Sequence, residues 1–381
     1  MTSRERMLAV LRRKGTDHVP VTPDTSNMIP AKLTGKPFWD IYLYKDPPQW
    51  LAFLNCVKYF GFDALMDGFA PVEFEDLNER FFGRNVYDQT DIVYRTEDRI
   101  ITQNYYVAGG KRHWEETVSV YYRDNPPTRG IDPHKIRLPK VPERYEPLTG
   151  VKEWPVGEAM MKLAKAELGD HGIIGVGCGT SLLLHNEAEI YEYYDNPKKF
   201  HERRDLLLDF FEEKLKRVMA MEVKPDFIST GGSGTLTHQT PAIVRELTLP
   251  IIKKMTALAK KYDLPTHIHS CGPEMELVKM CAEETDLTLI DPLEIPPMGD
   301  CSLKTIKKLY GDMLVLKGNL HTTSVMLHGS AEDVAKASRQ AIDDAAEGGG
   351  DILSTGDQCG RDTPFENIYA MIETAKTYGR Y

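Results

Sequence analysis

Short apolar runs alternate with longer amphipathic stretches along most of the chain. Eight of these runs are bounded by turn residues and have the length of buried strands. The eight predicted strands are residues 18–23, 63–68, 172–177, 226–231, 265–270, 287–292, 314–319 and 351–356. Between most of them the apolar positions recur with helical spacing, as in residues 197–221, 241–262, 273–285, 331–347 and 364–378.

Strands that alternate with helices are typical of a parallel α/β sheet, and eight such strands favour a closed barrel over an open sheet. Pro241, Pro273 and Pro364 stand where three of the helices should begin, which suits the first turn of a helix. The pattern therefore predicts a (β/α)8 TIM barrel in which residues 1–381 form a single domain.

One stretch after the second predicted strand, residues 82–147, lacks the βα rhythm. Segments 85–96, 99–107 and 113–123 are rich in Tyr, Val, Ile and Thr, and Gly109-Gly110 separates the last two. This pattern predicts an inserted antiparallel hairpin, followed by an extended connection in the proline-rich segment 126–147. An insertion here lies on the functional face of a barrel. It is either decoration, such as an oligomer contact, or a lid or wall for a substrate.

Composition excludes several classes of partner. The net charge of −10 and the absence of a basic stretch argue against binding nucleic acid or anionic membranes. No run of 18 apolar residues is present, and the charged N-terminus does not resemble a secretory signal. We therefore expect a cytoplasmic protein whose six cysteines are reduced.

The segment 265–272, Pro-Thr-His-Ile-His-Ser-Cys-Gly, carries the most informative chemistry. Residues two apart in a strand share a face, so His267, His269 and Cys271 should point the same way at the mouth of the barrel. Imidazole and thiolate together suit zinc. Cys359, in the loop after the last predicted strand, is the candidate third ligand, and this set leaves one zinc position open, as catalytic sites require.

Other polar residues lie in or just after predicted strands and complete the candidate site. Asp357, Asp291 and Glu294 are candidate fourth or replacement ligands. His267, Asn319 and Asp67 are candidate substrate-binding residues. The glycines of 231–234 either cradle an anion or let the backbone lie close to a ligand or to the metal site.

Over nearly its whole length the sequence resembles the uroporphyrinogen decarboxylase superfamily. The resemblance rests on the opening segments 4–12 and 17–21, on 265–272, on Lys317-Gly318-Asn319 and on the ending 363–368. It implies a (β/α)8 barrel. The decarboxylases carry an arginine-rich motif near the first strand and need no metal, but residues 22–33 contain no Arg. The sequence is more similar to the zinc methyltransferases of the superfamily, whose His-x-Cys matches His269-Ser-Cys271.

The resemblance implies a zinc-dependent transfer of a methyl group between a small substrate and the corrinoid of a separate protein, because no corrinoid-binding motif is present here. We favour demethylation of a methoxylated aromatic, with zinc as a Lewis acid. The alternatives are methyl transfer from a methylcorrinoid to a thiol, and decarboxylation of a small acid. In an ungapped alignment the distal Cys of this branch falls on Asp357. We favour Cys359 as the ligand, because thiolate is the better donor to zinc.

Overall fold

The computed structural model describes residues 1–66, 72–179 and 181–380. The chain forms two compact units. The first comprises Met1–Ser26, Val57–Phe74 and Val156–Tyr381, and the second comprises Asn27–Cys56 and Glu75–Pro155. The predicted insertion 82–147 lies within the second unit, and its description as part of one barrel domain stays a prediction.

The strands of the described residues belong to two sheets. They are β1 (Gln89–Arg95), β2 (Arg99–Ala108), β3 (Lys111–Tyr122), β4 (Thr128–Ile131), β5 (Glu146–Pro147), β6 (Gly175–Gly177), β7 (Phe227–Ser229), β8 (Thr266–His269), β9 (Leu289–Asp291), β10 (Val315–Leu320) and β11 (Asp351–Thr355). Strands β1–β5 form an antiparallel sheet in the order β4-β3-β2-β1-β5, and β6–β11 form a parallel sheet in sequential order.

The α-helices follow the amphipathic stretches. They are α1 (Ser3–Leu11), α2 (Met28–Leu33), α3 (Phe38–Tyr42), α4 (Gln49–Phe60), α5 (Glu75–Phe82), α6 (Gly157–Leu168), α7 (Glu187–Asp195), α8 (Pro197–Ala220), α9 (Pro241–Ile243), α10 (Leu249–Lys260), α11 (Met275–Glu284), α12 (Leu303–Tyr310), α13 (Ala331–Ala345) and α14 (Phe365–Thr377). Two π-helical segments, Val244–Thr248 and Thr322–Leu327, lie between them. In the described part of the chain no helix is long and apolar enough to cross a membrane.

The predicted barrel is confirmed only in part, because the parallel sheet of the described residues has six strands and does not close. Residues 18–23 form a single parallel bridge, Val21 to Leu353, instead of a strand. The N–H of Val21 donates to the carboxylate of Asp63, at 2.9 Å, so a side chain takes the bond that a neighbouring strand would accept. The described part of segment 63–68 is assigned to no strand.

Helix α1 covers the amino-terminal end of the parallel sheet. Its Met7, Val10 and Leu11 pack in one buried cluster with the first residues of several strands, such as Phe227, Leu289 and Val315. Burial of such side chains stabilises the fold by roughly 1.5–3 kcal/mol each. Because the amino end is filled, the carboxyl ends of the strands are left for chemistry, as in other parallel α/β folds.

The second unit contains the hairpin that the turn residues predict. Strands β2 and β3 pair from Arg99–Tyr122 to Ala108–Lys111, and Gly109 and Gly110 in the turn have φ of 58° and 72°. Two positive φ angles in a two-residue turn match the twist of the strands, and glycine adopts them without strain.

Candidate functional site

His267 and His269 in β8 bond the same carboxylate. His267 Nε2 lies 2.9 Å and His269 Nδ1 lies 3.1 Å from Oδ1 of Asp291, the last residue of β9. A carboxylate only accepts hydrogen bonds, so each of these two nitrogens carries a hydrogen and donates a hydrogen bond to Asp291. The neutral His269 ring is therefore left with an Nε2 lone pair, the form in which imidazole binds a metal ion. His267 Nδ1 in turn accepts a hydrogen bond from Ser229, at 2.8 Å.

Asp291 is the centre of a buried ionic network. Its other oxygen, Oδ2, accepts a hydrogen bond from the ammonium of Lys317 in β10, and both side chains are about fully buried. Burial alone would raise the pKa of Asp291, but the positive charge of Lys317 and the two imidazoles outweigh it and hold that pKa well below its usual value. Both oxygens of Asp291 thus have partners, and the carboxylate orients His269 instead of facing the mouth as a ligand.

Asp357 connects two groups of atoms that are suited to bind a metal ion. Ligand atoms of Cys271, Glu294 and Asp357 lie within 4.8 Å of one another, and so do those of Asp24, His269 and Asp357. His269 Nε2 is 3.5 Å from Asp357 Oδ1. Asp357 has φ of 96°, and non-glycine residues held in such sparsely populated conformations cluster at functional sites.

The carboxyl groups of Glu294 and Asp357 lie close together at the carboxyl ends of the strands. Burial raises the pKa of Glu294, and the nearby charge of Asp357 raises it further, although a hydrogen bond from the Gly272 N–H, at 2.6 Å, lowers it. A divalent cation bound between these two carboxylates would offset their repulsion. One imidazole, one thiol and two carboxylates form a donor set that fits zinc.

The loop 231–234 holds Cys271 in place. The Cys271 Sγ lies 2.7 Å from the hydroxyl oxygen of Ser233. A Cβ at Gly231 would come within 2.3 Å of the Ile268 side chain, so only glycine lets this loop lie against β8. Of the two roles predicted for the glycines, close approach of the backbone to the site is the one that this geometry supports.

The remaining predicted residues belong to neither group of ligand atoms in the described chain. Cys359 is fully buried, and burial raises the pKa of its thiol to about 12. Its N–H donates to the Asp24 carbonyl, and neither metal-suited group in the described chain includes it. The Asn319 amide donates to the Leu293 carbonyl, at 2.8 Å. Asp67 lies outside the described residues.

Comparison with known proteins gives the family. The model of the uroporphyrinogen decarboxylase (URO-D) family matches residues 185–378, slightly more than half of the chain. The chain belongs to the uroporphyrinogen decarboxylase family. The matched region contains every residue of the two ligand groups except Asp24. The family predicted from the sequence motifs is therefore confirmed.

Within this family the chain is similar to corrinoid methyltransferases. It is 29% identical over 130 residues to the methylcobamide:CoM methyltransferase MtbA of Methanosarcina acetivorans, and 30% identical over 132 residues to that of Methanosarcina mazei. Each match covers 34% of this chain and 35% of the relative, so the chain matches about a third of their length.

A solved structure supports the fold over the whole chain. A methyltransferase from Methanosarcina mazei superposes with a TM-score of 0.59, at 16% identity, and the match covers 99% of both chains. At this identity the likeness concerns the fold alone. The predicted branch of the family rests on the two sequence relatives.

Five residues of the site are not among those predicted from the sequence, and they are Asp24, Ser229, Ser233, Lys317 and His321. Lys317 was noted only as part of a family motif, although a lysine inside an apolar strand signals a buried partner. Ser229 and Ser233 gave no signal, because their roles depend on contacts between neighbouring strands. His321, which directly follows β10, was overlooked despite its place at a strand's carboxyl end.

Glu274, in the loop before α11, is expected to make the stability of the metal-free protein depend on pH. The side chain is fully buried, and neither carboxyl oxygen has a hydrogen-bond partner in the described chain. Burial raises its pKa well above 4.5. Above about pH 4.5 the folded state keeps a proton that the unfolded state releases. The free energy of unfolding therefore falls as the pH rises, and it stops falling once the pH exceeds the raised pKa of Glu274.

The variant Glu274→Gln removes this proton and should flatten that part of the profile. For each unit by which the pKa of Glu274 is raised, the free energy of unfolding of the wild type should fall by about 1.4 kcal/mol across this pH range. Urea unfolding of wild type and variant across pH 5–8 checks the prediction. Parallel profiles for the two proteins would contradict it.

Proposed function

We propose that the chain is a zinc-dependent methyltransferase that moves a methyl group between a small methylated substrate and the corrinoid of a separate protein. The observation that carries the proposal is that Asp357 shares one group of ligand atoms with Cys271 and Glu294 and lies 3.5 Å from His269 Nε2, which belongs to a second group. All four residues lie at or just after the carboxyl ends of strands of the parallel sheet. The similarity to methylcobamide:CoM methyltransferases supports corrinoid involvement. The preferred substrate class is a methoxylated aromatic compound.

The proposed zinc ligands are these four residues, and Cys359 stays the predicted alternative to Asp357. When bound, zinc would supply a Lewis acid that lowers the energy of negative charge on a coordinated oxygen or sulfur atom. Two carboxylates and an imidazole make a harder donor set than one dominated by thiolates, and this favours an oxygen ligand such as an ether. That preference is the reason to place demethylation of an ether first.

The protein's own contribution is to hold this donor set in position. Asp291 and Lys317 fix the direction of the His269 ring, and Ser233 donates a hydrogen bond to Cys271 or accepts one from it. Because Asp291 and Lys317 are buried and lie in strands, the His269 ring keeps its orientation when no substrate is present. A preorganised site of this kind does not have to rearrange as charge develops in the reaction.

A second candidate is methyl transfer from a methylcorrinoid to a thiol. The names of the two sequence relatives favour it, since both are described as acting between a methylcobamide and CoM. The same cluster would then hold the sulfur of the acceptor, whose pKa a bound metal ion lowers. The two candidates share the site and the corrinoid and differ in the direction of transfer.

Decarboxylation of a small acid is less well supported by the charges near the site. A decarboxylase of this family would need arginines to clamp substrate carboxylates. Arg245 is paired with Glu284 and Glu276, and Arg361 with Asp362. The four proposed ligands include two acids, which would repel a carboxylated substrate.

The zinc-loaded protein is expected to demethylate methoxylated aromatics only when a reduced corrinoid accepts the methyl group. The assay follows the absorbance of methylated cobalamin, with free cobalamin or a corrinoid protein as acceptor. In a second arm, methylcobalamin and coenzyme M replace the ether, and demethylation there alone would select the thiol candidate. Release of CO2 from a carboxylated substrate without corrinoid would contradict both candidates.

A further inference from the structure

A narrow recess opens beside the proposed metal ligands. Its lining includes Asn319 of β10 and three residues of the loops that follow β9, β10 and β11, which are Glu294, His321 and Gly356. Its volume is about 10 Å³, roughly the space that the centre of one water molecule needs. The recess therefore has room for one small polar atom next to Glu294.

The position of the His321 ring is fixed by the backbone that follows it. His321 Nδ1 accepts hydrogen bonds from the N–H groups of Thr323 and Ser324, both at 3.1 Å. An imidazole nitrogen that accepts from N–H groups carries no proton itself, so the proton of the neutral ring is on Nε2. The His321 ring therefore lines the recess as the tautomer that carries its hydrogen on Nε2, and Nε2–H is its remaining hydrogen-bonding group, a donor.

We propose that His321 Nε2–H binds the substrate oxygen from which the methyl group departs. This inference rests on the proposed function. As the methyl carbon passes to the cobalt(I) corrinoid of the partner, the carbon–oxygen bond breaks and its electron pair stays on the oxygen. Negative charge grows on that oxygen, and the Nε2–H hydrogen bond strengthens with it. The substrate class is therefore an aryl methyl ether that leaves as a phenolate.

Two variants separate this role from the structural role of the ring. His321 is the N-cap residue of the π-helical segment Thr322–Leu327, a position at which serine is favoured. In His321→Ser the hydroxyl can still accept hydrogen bonds from the backbone N–H groups, but no donor reaches the recess. In His321→Gln the side-chain amide can place an N–H near the position of Nε2, but the acceptor for the backbone is lost. The serine variant should keep the wild-type stability and lose binding of the substrate oxygen. The glutamine variant should keep that binding and lose stability.

The first measurement is binding of 4-nitrophenolate, followed by its absorbance, to the zinc-loaded and the metal-free protein. We expect about tenfold weaker binding to His321→Ser than to wild type in both forms, and binding near the wild-type level for His321→Gln. Thermal unfolding of all three proteins should show a lower Tm for His321→Gln alone. Equal binding by wild type and His321→Ser would overturn the proposal, whatever the outcome of the methyl transfer assay.

The second measurement compares two ethers with reduced cobalamin as acceptor. Loss of an oxyanion donor costs on the order of 10²-fold in rate. The rate of His321→Ser should fall by about that factor with 1,4-dimethoxybenzene, and by much less with 4-nitroanisole, whose phenolate is a better leaving group. An equal loss with both ethers would contradict the role of His321. If wild type demethylates neither ether, the proposed function fails, and phenolate binding alone decides the role of His321.

Discussion

Replacing Asp357 by Asn is expected to lower the affinity for zinc about a hundredfold, whereas replacing Cys359 by Ser should change it less than about threefold. Asp357 is common to both groups of ligand atoms, and its carboxylate lies 3.5 Å from His269 Nε2. The amide of Asn carries no charge and cannot replace that donor. Cys359 is fully buried, and its raised pKa keeps the thiol protonated at neutral pH.

The measurement is competition with a chelator of known zinc affinity, after elemental analysis has given about one zinc per wild-type chain. Asp362→Asn is the matched control, because this nearby acid is exposed and pairs with Arg361. If Cys359→Ser loses zinc and Asp357→Asn retains it, the distal ligand is the thiolate, and the loop after β11 must rearrange to bring it forward. Less than about a tenth of an equivalent of zinc in the wild type would reject the metal site altogether.

The sequence predicted the elements of the first unit better than their assembly. The apolar runs predicted the six parallel strands of the described chain. The helical spacing predicted a helix over 197–221, which ends one residue beyond α8. The spacing could not show that residues 18–23 make two isolated bridges, His18 to Arg380 and Val21 to Leu353, instead of a strand. Here the Val21 N–H donates to the carboxylate of Asp63, 42 positions away, and not to a strand. Side-chain bonds between distant segments leave no periodic signal.

The candidate site divides in the same way. Alternation along one strand correctly brought His267 and His269 onto a common partner, because the period of a strand is fixed by its geometry. The choice between Asp357 and Cys359 could not be made on that basis, since both lie in a loop. A preference for thiolate as a zinc donor selected Cys359, but the backbone of the loop places the Asp357 carboxylate beside His269.

Replacing Lys317 by Met is expected to destabilise the metal-free protein by about 3–5 kcal/mol, because it leaves Asp291 as a buried charge without its main counter-ion. Both side chains are about fully buried, and the ammonium bonds directly to the carboxylate. The matched control is Lys162→Met, since Lys162 and Glu222 form an exposed ion pair whose loss should change the stability far less.

Removing the charge of Asp291 as well separates the ion pair from the packing of the site. The double variant Lys317→Met with Asp291→Asn should be more stable than Lys317→Met alone, because the amide needs no counter-ion in the interior. It should also bind zinc about 10–100-fold more weakly than wild type, since His269 loses the carboxylate that orients it. Urea unfolding of the four proteins measures the first effect and chelator competition the second. A loss of stability in Lys317→Met no larger than that of the control would show that the network does not hold the site together.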